Sequence, residues 1–587
     1  MKYLINKTLS SLVTYFLVAS AAAAQTISLQ GREDREPEAA TGYVNKTAIT
    51  AEHFMVSAAN PYASWAGKKV LEKGGSAIDA AIAVQSMLTL VEPQSSGIGG
   101  GAFILYWDNK NKRLHTFDGR ETAPANVDQH LFTENGQPIK WRDAVVGGKS
   151  VGVPGVLKAL EAVHRQFGHL KWDTLFTDTI QTAKHGFTVS ARLNRLLELD
   201  LHPGLRLPGE SNDYFFPDGQ ALQQGQTKKN PALATTLSQI ATHGANYFYH
   251  GELPTAIVKT VQNSAINPGF LAVSDFNNYT SIERPPICGS YRDYQVCGMA
   301  PPSSGGINVF QILKLLEAFP VADLAPDSID FVHLYAQSSS IAYADRAMYI
   351  ADSDFTQLPF ERLISDQYMH DRSSALSVNK AFQKASPGAV FSELQLGRDT
   401  ALEMPNTSHL SIVDSQGNAI SMTTSIEFMF GSGLMVNGFL LNNQLTDFSL
   451  NPTLNGFLAL NRVEPNKRPR SAMSPTIVFD PKGNLELVIG SPGGSRIISY
   501  VAQTIIGVLD WGLDIQQAIN LPKITNRNDY TALEKDTPIA ELEAQLSLKG
   551  HNVRIIDLNS GLHGIQIKHG KLNGGADPRR EGLAIGG

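Results

Sequence analysis

Cysteine is nearly absent from this chain, with only Cys288 and Cys297 among 587 residues. Two thiols alone make no zinc site. The sequence also lacks an H-E-x-x-H pair, an EF-hand loop and a metal-spaced histidine cluster, so no metal and no cofactor is expected. No Lys/Arg tract stands out, and 49 basic residues against 55 acidic ones leave a net charge of −6. Nucleic-acid binding therefore has no electrostatic support. Beyond the first 24 residues no apolar run is long enough to cross a bilayer. The glycine run SSGIGGG (95–101) leads into an apolar strand rather than a helix, which removes the context a dinucleotide fingerprint needs. GKS (148–150) lacks the upstream glycine of a phosphate loop. GKSVG around Ser150 matches the G-x-S-x-G elbow of serine hydrolases, but that elbow needs a strand running in and a helix directly behind. WRDAVVGG is a poor strand, and the helix waits until Pro154.

What is present begins with an export signal. Lys2 and Lys7 flank the start, LSSLVTYFLVAS supplies the apolar stretch, and Ala22-Ala23-Ala24 offers a small-residue cleavage site before Gln25. The reading is a signal peptide over 1–24 and a periplasmic or secreted protein. The apolar run is short and ends in alanines, so no membrane anchor is expected, and no cysteine follows the site, so no lipid anchor is expected either. Residues 25–47 are polar and expected to be mobile. The two cysteines lie in CGSYRDYQVC (288–297). With Arg292 and Asp293 at the tip of a hairpin, Cys288 faces Cys297 at a non-hydrogen-bonded position, about 4.5 Å apart at Cα. That is within disulfide reach, and an exported protein keeps such a bond oxidised. The alternative is two free buried thiols.

The length allows two or more cores or one large layered one. NPYASWAGKKVLEKGG reads as a helix stopped by Gly74-Gly75. Ser76 and Asp79 form a capping box ahead of a second, AIDAAIAVQSMLTLV. VGVPGVLKALEAVHRQFG predicts a helix begun at Pro154 and closed by Gly168. DGRETAP (118–124) places Arg120 in a loop after a strand, usually a solvated position. APPSSGG (300–306) leads into another helix. After residue 407 the pattern changes to paired strands and turns. No internal repeat is visible.

The most informative point is Asn406-Thr407-Ser408-His409. A loose, polar, proline-containing stretch stops there and a hairpin begins, with LSIVD (410–414) and AISMTTSI (419–426) as strands around SQGN (415–418). Cutting the Asn406–Thr407 bond would make Thr407 an N-terminus, its hydroxyl a nucleophile and its freed α-amine the general base. An α-amine pKa of roughly 7.7–8.0 suits that role. The same string also fits an N-x-S/T glycosylation site. Downstream, Asp447 in LLNNQLTDFS and Glu427, two residues past Ser425, are candidate partners for an ammonium. Ser471 in NKRPRSAMSPT offers a donor to a carboxylate. Gly493-Gly494 in IGSPGGSR offers two bare amides to an oxyanion.

These motifs, in this order, resemble those of the bacterial γ-glutamyltransferases (γ-glutamyl transpeptidases, glutathione hydrolases), members of the N-terminal-nucleophile hydrolases. The resemblance spans nearly everything after the signal, from NPYASWAGKKVLEKGGSAIDAA through GRETAP, PPSSGG, NTSHLSIVD, FGSG, LLNNQLTDFS, NKRPRSAMSPT and SPGGSR to GGADPRREG. It implies an α+β fold, a four-layer αββα sandwich formed jointly by a large subunit (48–406) and a small subunit (407–587) cut from one precursor. It implies self-cleavage by N→O acyl shift, attack of Thr407 on glutathione or a related γ-glutamyl amide, and transfer of the glutamyl group to water or an amino acid. By motif position Arg120 would clasp the substrate α-carboxylate through its fork, assisted by Ser471. Glu427, Gln444 and Asp447 would hold the α-ammonium, Gly493 and Gly494 would form the oxyanion hole, and Ser425 would support the nucleophile.

Three departures from the family pattern stand out. Ala472 replaces a second serine. Glu427 occupies a position that is Asn or Glu elsewhere. The stretch FSLNPTLNGFLALNRVEP between Asp447 and NKRP is short and lacks tyrosine, which predicts a more open site. Two alternatives remain: a cephalosporin acylase of the same fold removing a glutaryl group, and a non-catalytic exported scaffold.

Overall fold

The computed structural model describes residues 43–391, 394–404 and 406–587 of one uncut polypeptide. The leader over 1–24 and most of the polar segment 25–47 lie outside the described residues. Residues 43–47, at the end of that segment, are tied down: Lys46 Nζ donates to the carbonyls of Asp577, Arg580 and Gly582 at 2.7–2.9 Å.

Two seven-stranded antiparallel sheets form the centre. One runs, edge to edge, Ile49–Ala51, Lys571–Ala576, His563–Lys568, Leu485–Gly490, Thr476–Phe479, Tyr294–Gly298, Ile287–Tyr291. The other runs Leu583–Gly586, Met55–Ala58, Thr407–Val413, Ala419–Ser425, Gly101–Asp108, Arg113–Gly119, Ile282–Arg284. Each sheet therefore combines strands from both sides of residue 407.

The strand Thr407–Val413 shows why the sheets stack. Alternate residues of a strand face opposite ways. Leu410 and Ile412 join the apolar core under the helices Pro61–Glu72 and Ala77–Val91. His409, Ser411 and Val413 face the other sheet, where Ser411 Oγ donates to the His563 carbonyl at 3.1 Å. From the neighbouring strand Ser421 Oγ donates to the Ile489 carbonyl at 2.9 Å. The helices Gly305–Leu316 and Ile497–Leu509 cover the far face of the first sheet, and Ile329–Tyr349 packs against Gly305–Leu316. The result is the expected four-layer αββα sandwich. Each large apolar side chain buried in these layers is worth about 1.5–3 kcal/mol relative to exposure.

Local rules hold where they were strongest. Ser76 and Asp79 make the reciprocal capping box at the start of Ala77–Val91. Cys288 pairs with Cys297 in register and the two are disulfide-bonded at 2.04 Å, so they are not free thiols. The helix expected from Pro154 begins instead at Val156, with Gly155 as its N-cap. Val153 is held extended by a bridge to Thr122, and Gly155 N donates to the Gly100 carbonyl at 3.0 Å, so the chain cannot turn earlier. Ser150 is buried in a short 3-10 turn, its hydroxyl donating to the Val145 and Gly147 carbonyls, and forms no exposed elbow. Among the described residues no helix is long and apolar enough to cross a membrane.

Candidate active site

Thr407 opens its strand directly opposite Ser425, the last residue of the antiparallel partner. The Thr407 hydroxyl donates to Ser425 Oγ at 3.2 Å. Ser425 Oγ in turn donates to the Asn406 carbonyl oxygen at 2.9 Å and accepts from the Glu427 N–H at 2.9 Å. One hydroxyl thus touches both the candidate nucleophile and the carbonyl of the bond preceding it. The Asn406 side chain is fixed separately: its Oδ1 accepts from Ser95 Oγ and Arg192 Nη2, each at 3.1 Å. Behind it Ser408 Oγ donates to Glu92 at 2.9 Å. Burial pushes the Glu92 carboxyl up to about 7, against the pull of Arg192.

Past Ser425 the backbone turns through Glu427 at φ +77°, a left-handed conformation uncommon for a residue with a side chain. The turn brings the Glu427 carboxylate into the site. Its Oε1 accepts from the Met404 N–H at 3.1 Å and its Oε2 pairs with the Asn443 side-chain amide. A 3-10 turn, Gln444–Asp447, presents the next two groups. Gln444 Nε2 donates to Asp447 Oδ2 at 2.7 Å, and Arg120 Nη2 reaches the same oxygen at 2.5 Å.

Arg120 is fully buried rather than solvated, because the loop after Arg113–Gly119 turns inward. Its Nε donates to the Pro469 carbonyl at 3.1 Å and its Nη2 also to the Arg470 carbonyl at 2.8 Å. Only Nη1 lacks a hydrogen bond, lying 3.6 Å from Glu121 Oε2. The two-pronged fork is therefore not open in the uncut chain. Ser471 Oγ accepts from the Met473 N–H at 3.1 Å, which leaves its proton to donate. Gly493 and Gly494 have φ of +133° and +55°, and neither N–H has a partner among the described residues. A side chain at 493 would strike the Tyr500 ring.

These groups converge on one cavity of about 20 Å³. Thr407, Ser425, Glu427 and Gly494 line it from the Thr407 side; Arg120, Gln444, Asp447 and Ser471 line it from the other. Gly493 adjoins Gly494 without lining it. Such a space holds little more than one water. The reason is the segment ahead of Asn406, read from sequence as loose. Glu403 and Met404 are buried and form part of the wall. Glu403 pairs with Arg346 and with Arg470 Nε at 3.0 Å. Together with Asn443, Arg192 and Ser95 these were not foreseen. Asn443 stood inside the quoted LLNNQ run, but its bonds to the Glu427 carboxylate and from the Phe428 N–H depend on the turn at 427. The hairpin Thr453–Leu454 with Phe457–Leu458, from the short segment after Asp447, contributes no lining residue.

The electrostatics of the cavity are lopsided. Burial pushes Asp447 up to about 6, with Arg120 pulling the other way. Burial, and then the charge of Asp447, hold Glu427 well above the usual carboxylate range. Burial raises Glu121 to about 8 against the pull of Arg120. Two acceptors on the cavity-lining residues, Asp447 Oδ1 and Gln444 Oε1, have no hydrogen-bond donor. A buried acceptor without a donor is costly, about 1–3 kcal/mol each. Any donor that enters the cavity would satisfy them.

The gamma-glutamyltranspeptidase family matches residues 63–587. The chain is similar to the glutathione hydrolase proenzyme of Bacillus subtilis (strain 168), at 34% identity over 100% of this chain and 99% of the relative. It is 34% identical to the glutathione hydrolase proenzyme of Escherichia coli (strain K12), over 90% of this chain and 91% of the relative. Among solved structures, cephalosporin acylase from Bacillus halodurans superposes with a TM-score of 0.81 at 25% identity, covering 93% of this chain and 97% of that one.

Proposed function

The chain belongs to the gamma-glutamyltranspeptidase family, and from that premise we propose a self-cleaving γ-glutamyltransferase and glutathione hydrolase with Thr407 as its nucleophile. The single observation that carries the substrate assignment is the pair of donor-less acceptors, Asp447 Oδ1 and Gln444 Oε1, beside an already raised carboxylate at Glu427. An α-ammonium satisfies them; a glutaryl group, which lacks one, does not.

Self-cleavage runs through the hydroxyl relay. Thr407 Oγ1 attacks the Asn406 carbonyl carbon, and the oxygen's developing charge is met by the Ser425 proton already aimed at it. The C–N bond breaks, the Thr407 nitrogen takes the nucleophile's proton, and an ester remains. Water hydrolyses it, leaving an Asn406 carboxylate and a free Thr407 amine and hydroxyl. The amine then serves as base in the second reaction.

The cut also explains how substrate enters. Met404 N–H occupies Glu427 Oε1 in the uncut chain, where the substrate ammonium would sit. Glu403 to Asn406 become a chain end and can withdraw. The γ-glutamyl α-ammonium then lies among Glu427, Gln444 and Asp447. The α-carboxylate takes Arg120 Nη1 and the Ser471 hydroxyl. Thr407 attacks the γ-carbonyl, whose oxygen faces the Gly493 and Gly494 amides, and a γ-glutamyl ester forms as the amine departs. Water or an amino acid releases the group. With Ala472 in place of a hydroxyl, one carboxylate hydrogen bond is absent, at a cost of about 0.5–1.5 kcal/mol.

The two products of the cut, a large subunit ending at 406 and a small one of 407–587, remain one heterodimer. The leader fits export to a periplasm or beyond. Relative kcat/KM on γ-glutamyl-p-nitroanilide and glutaryl-7-aminocephalosporanic acid tests the assignment. Preference for the first is expected; preference for the second would hand the site to the acylase reading.

A further inference from the structure

A second cavity, of about 290 Å³, adjoins the catalytic one, and Glu403 lines both. Its charged lining comprises Arg346, Arg398, Arg470 and Arg527 against Asp399, Glu403 and Asp529. Two of those three carboxylates belong to the segment just before the scissile bond. Asp399 Oδ2 lies 2.7 Å from Arg470 Nη2, and Glu403 bridges Arg470 and Arg346. The third stays with the small subunit, where Asp529 lies 3.7 Å from Arg527. Arg527 Nη1 donates to Ser495 Oγ at 2.9 Å. Ser495 follows Gly494 directly and lines the arginine cavity, whereas Gly494 lines the catalytic one.

We propose that this arginine-lined cavity is the subsite for the departing and incoming amine, and that it binds the carboxylate carried by that amine. The ligand class is an α-amino acid or short peptide with a free carboxylate. In the uncut chain Glu403 holds the place of that carboxylate. The inference rests on the γ-glutamyl reading and deepens it. A scissile amide whose oxygen faces the Gly494 amide has its glutamyl side toward Arg120 and Asp447. Its amine side must then point along Ser495, past the position Glu403 now fills. After the cut Glu403 lies three residues from a free end and no longer has its place fixed through Thr407. Arg346 and the Arg470 Nε are then left facing the channel without the carboxylate that joined them. Guanidinium pairs favour carboxylates at this geometry, and the chain's own stand-in is a carboxylate.

The test uses the cut, purified enzyme. Glutathione is compared with its glycine amide, which differs only in the carboxylate at the leaving end. The expected kcat/KM ratio is about tenfold or more in favour of glutathione. Arg346→Gln should bring that ratio close to one, and Arg527→Gln should reduce it, which keeps the test available if the first variant fails to fold or to cut. A wild-type ratio near one, or a ratio unchanged in the variants that cut, would overturn the proposal. Turnover of γ-glutamyl-p-nitroanilide, whose leaving group carries no carboxylate, reports separately on the γ-glutamyl reading. Its absence strikes that reading, while its presence beside a ratio near one strikes only the subsite.

Discussion

The Ser425 hydroxyl donates to the Asn406 carbonyl oxygen at 2.9 Å, aimed at the atom that gains negative charge when the preceding bond is attacked. Removing one such donor slows acyl chemistry by roughly 10²–10³. Ser425→Ala should slow conversion of one band to two on a denaturing gel by that factor, and Ser425→Thr should restore it. Cutting at wild-type speed in the alanine variant would show that the contact is incidental.

Thr407→Ala should fold and remain a single chain. Its buried neighbours lose one hydroxyl and a methyl, not a charge, so its thermal midpoint should stay within a few degrees of the wild-type precursor. Thr407→Ser should still cut. N-terminal sequencing of the smaller wild-type fragment should begin Thr-Ser-His-Leu; any other start relocates the nucleophile.

Arg120→Ala removes the cation from Asp447 Oδ2 and two anchors on the Pro469 and Arg470 carbonyls. Breaking a buried pair from one side costs about 3–5 kcal/mol, so a lower unfolding midpoint is expected along with a raised KM. Self-cleavage should persist, since no Arg120 atom touches the Thr407, Ser425 and Asn406 relay. Loss of cutting at full stability would contradict that separation.

Asp447→Asn tests the ammonium directly. It should lower kcat/KM for γ-glutamyl-p-nitroanilide by about a hundredfold or more while affecting a glutaryl substrate far less. Equal losses on the two substrates would remove Asp447 from ammonium recognition.

The pH profile follows from the same residue. Burial holds Asp447 at about 6, above its ordinary value, and only the ionised form pairs with an ammonium. The kcat/KM of the wild type should therefore fall as pH drops through about 6, and that limb should disappear in Asp447→Asn. The stability sign is opposite. A carboxyl raised in the fold stabilises it below the unfolded value and loses that contribution as pH rises through about 6. Melting curves between pH 4 and 8 on both proteins check this.

Much of the site could be read without coordinates because its groups sit in short, ordered motifs. Thr407 and Ser425 pair through a hairpin whose strands and turn were visible in alternation and in SQGN. The cysteine register followed from counting outward from Arg292-Asp293. What could not be read were pairings set by tertiary packing. Glu403 meets Arg346 and Arg470, which lie 57 and 67 residues away, so no local period announces them. The segment looked loose because its composition is polar, yet Glu403 within it is paired with two guanidiniums. Arg120 looked solvated for the same reason, yet backbone carbonyls from residues 469 and 470 and the Asp447 carboxylate supply what water would have.

The weaving of strands from both sides of residue 407 through each sheet has a consequence for the protein's later life. Before the cut, folding is unimolecular and independent of concentration. Once cut at 407 as proposed, the same native state demands that two separate pieces, neither with a complete sheet, find one another. A mature molecule that unfolds in dilute solution thus has no easy way back, and its lifetime is governed by how slowly it opens rather than by an equilibrium.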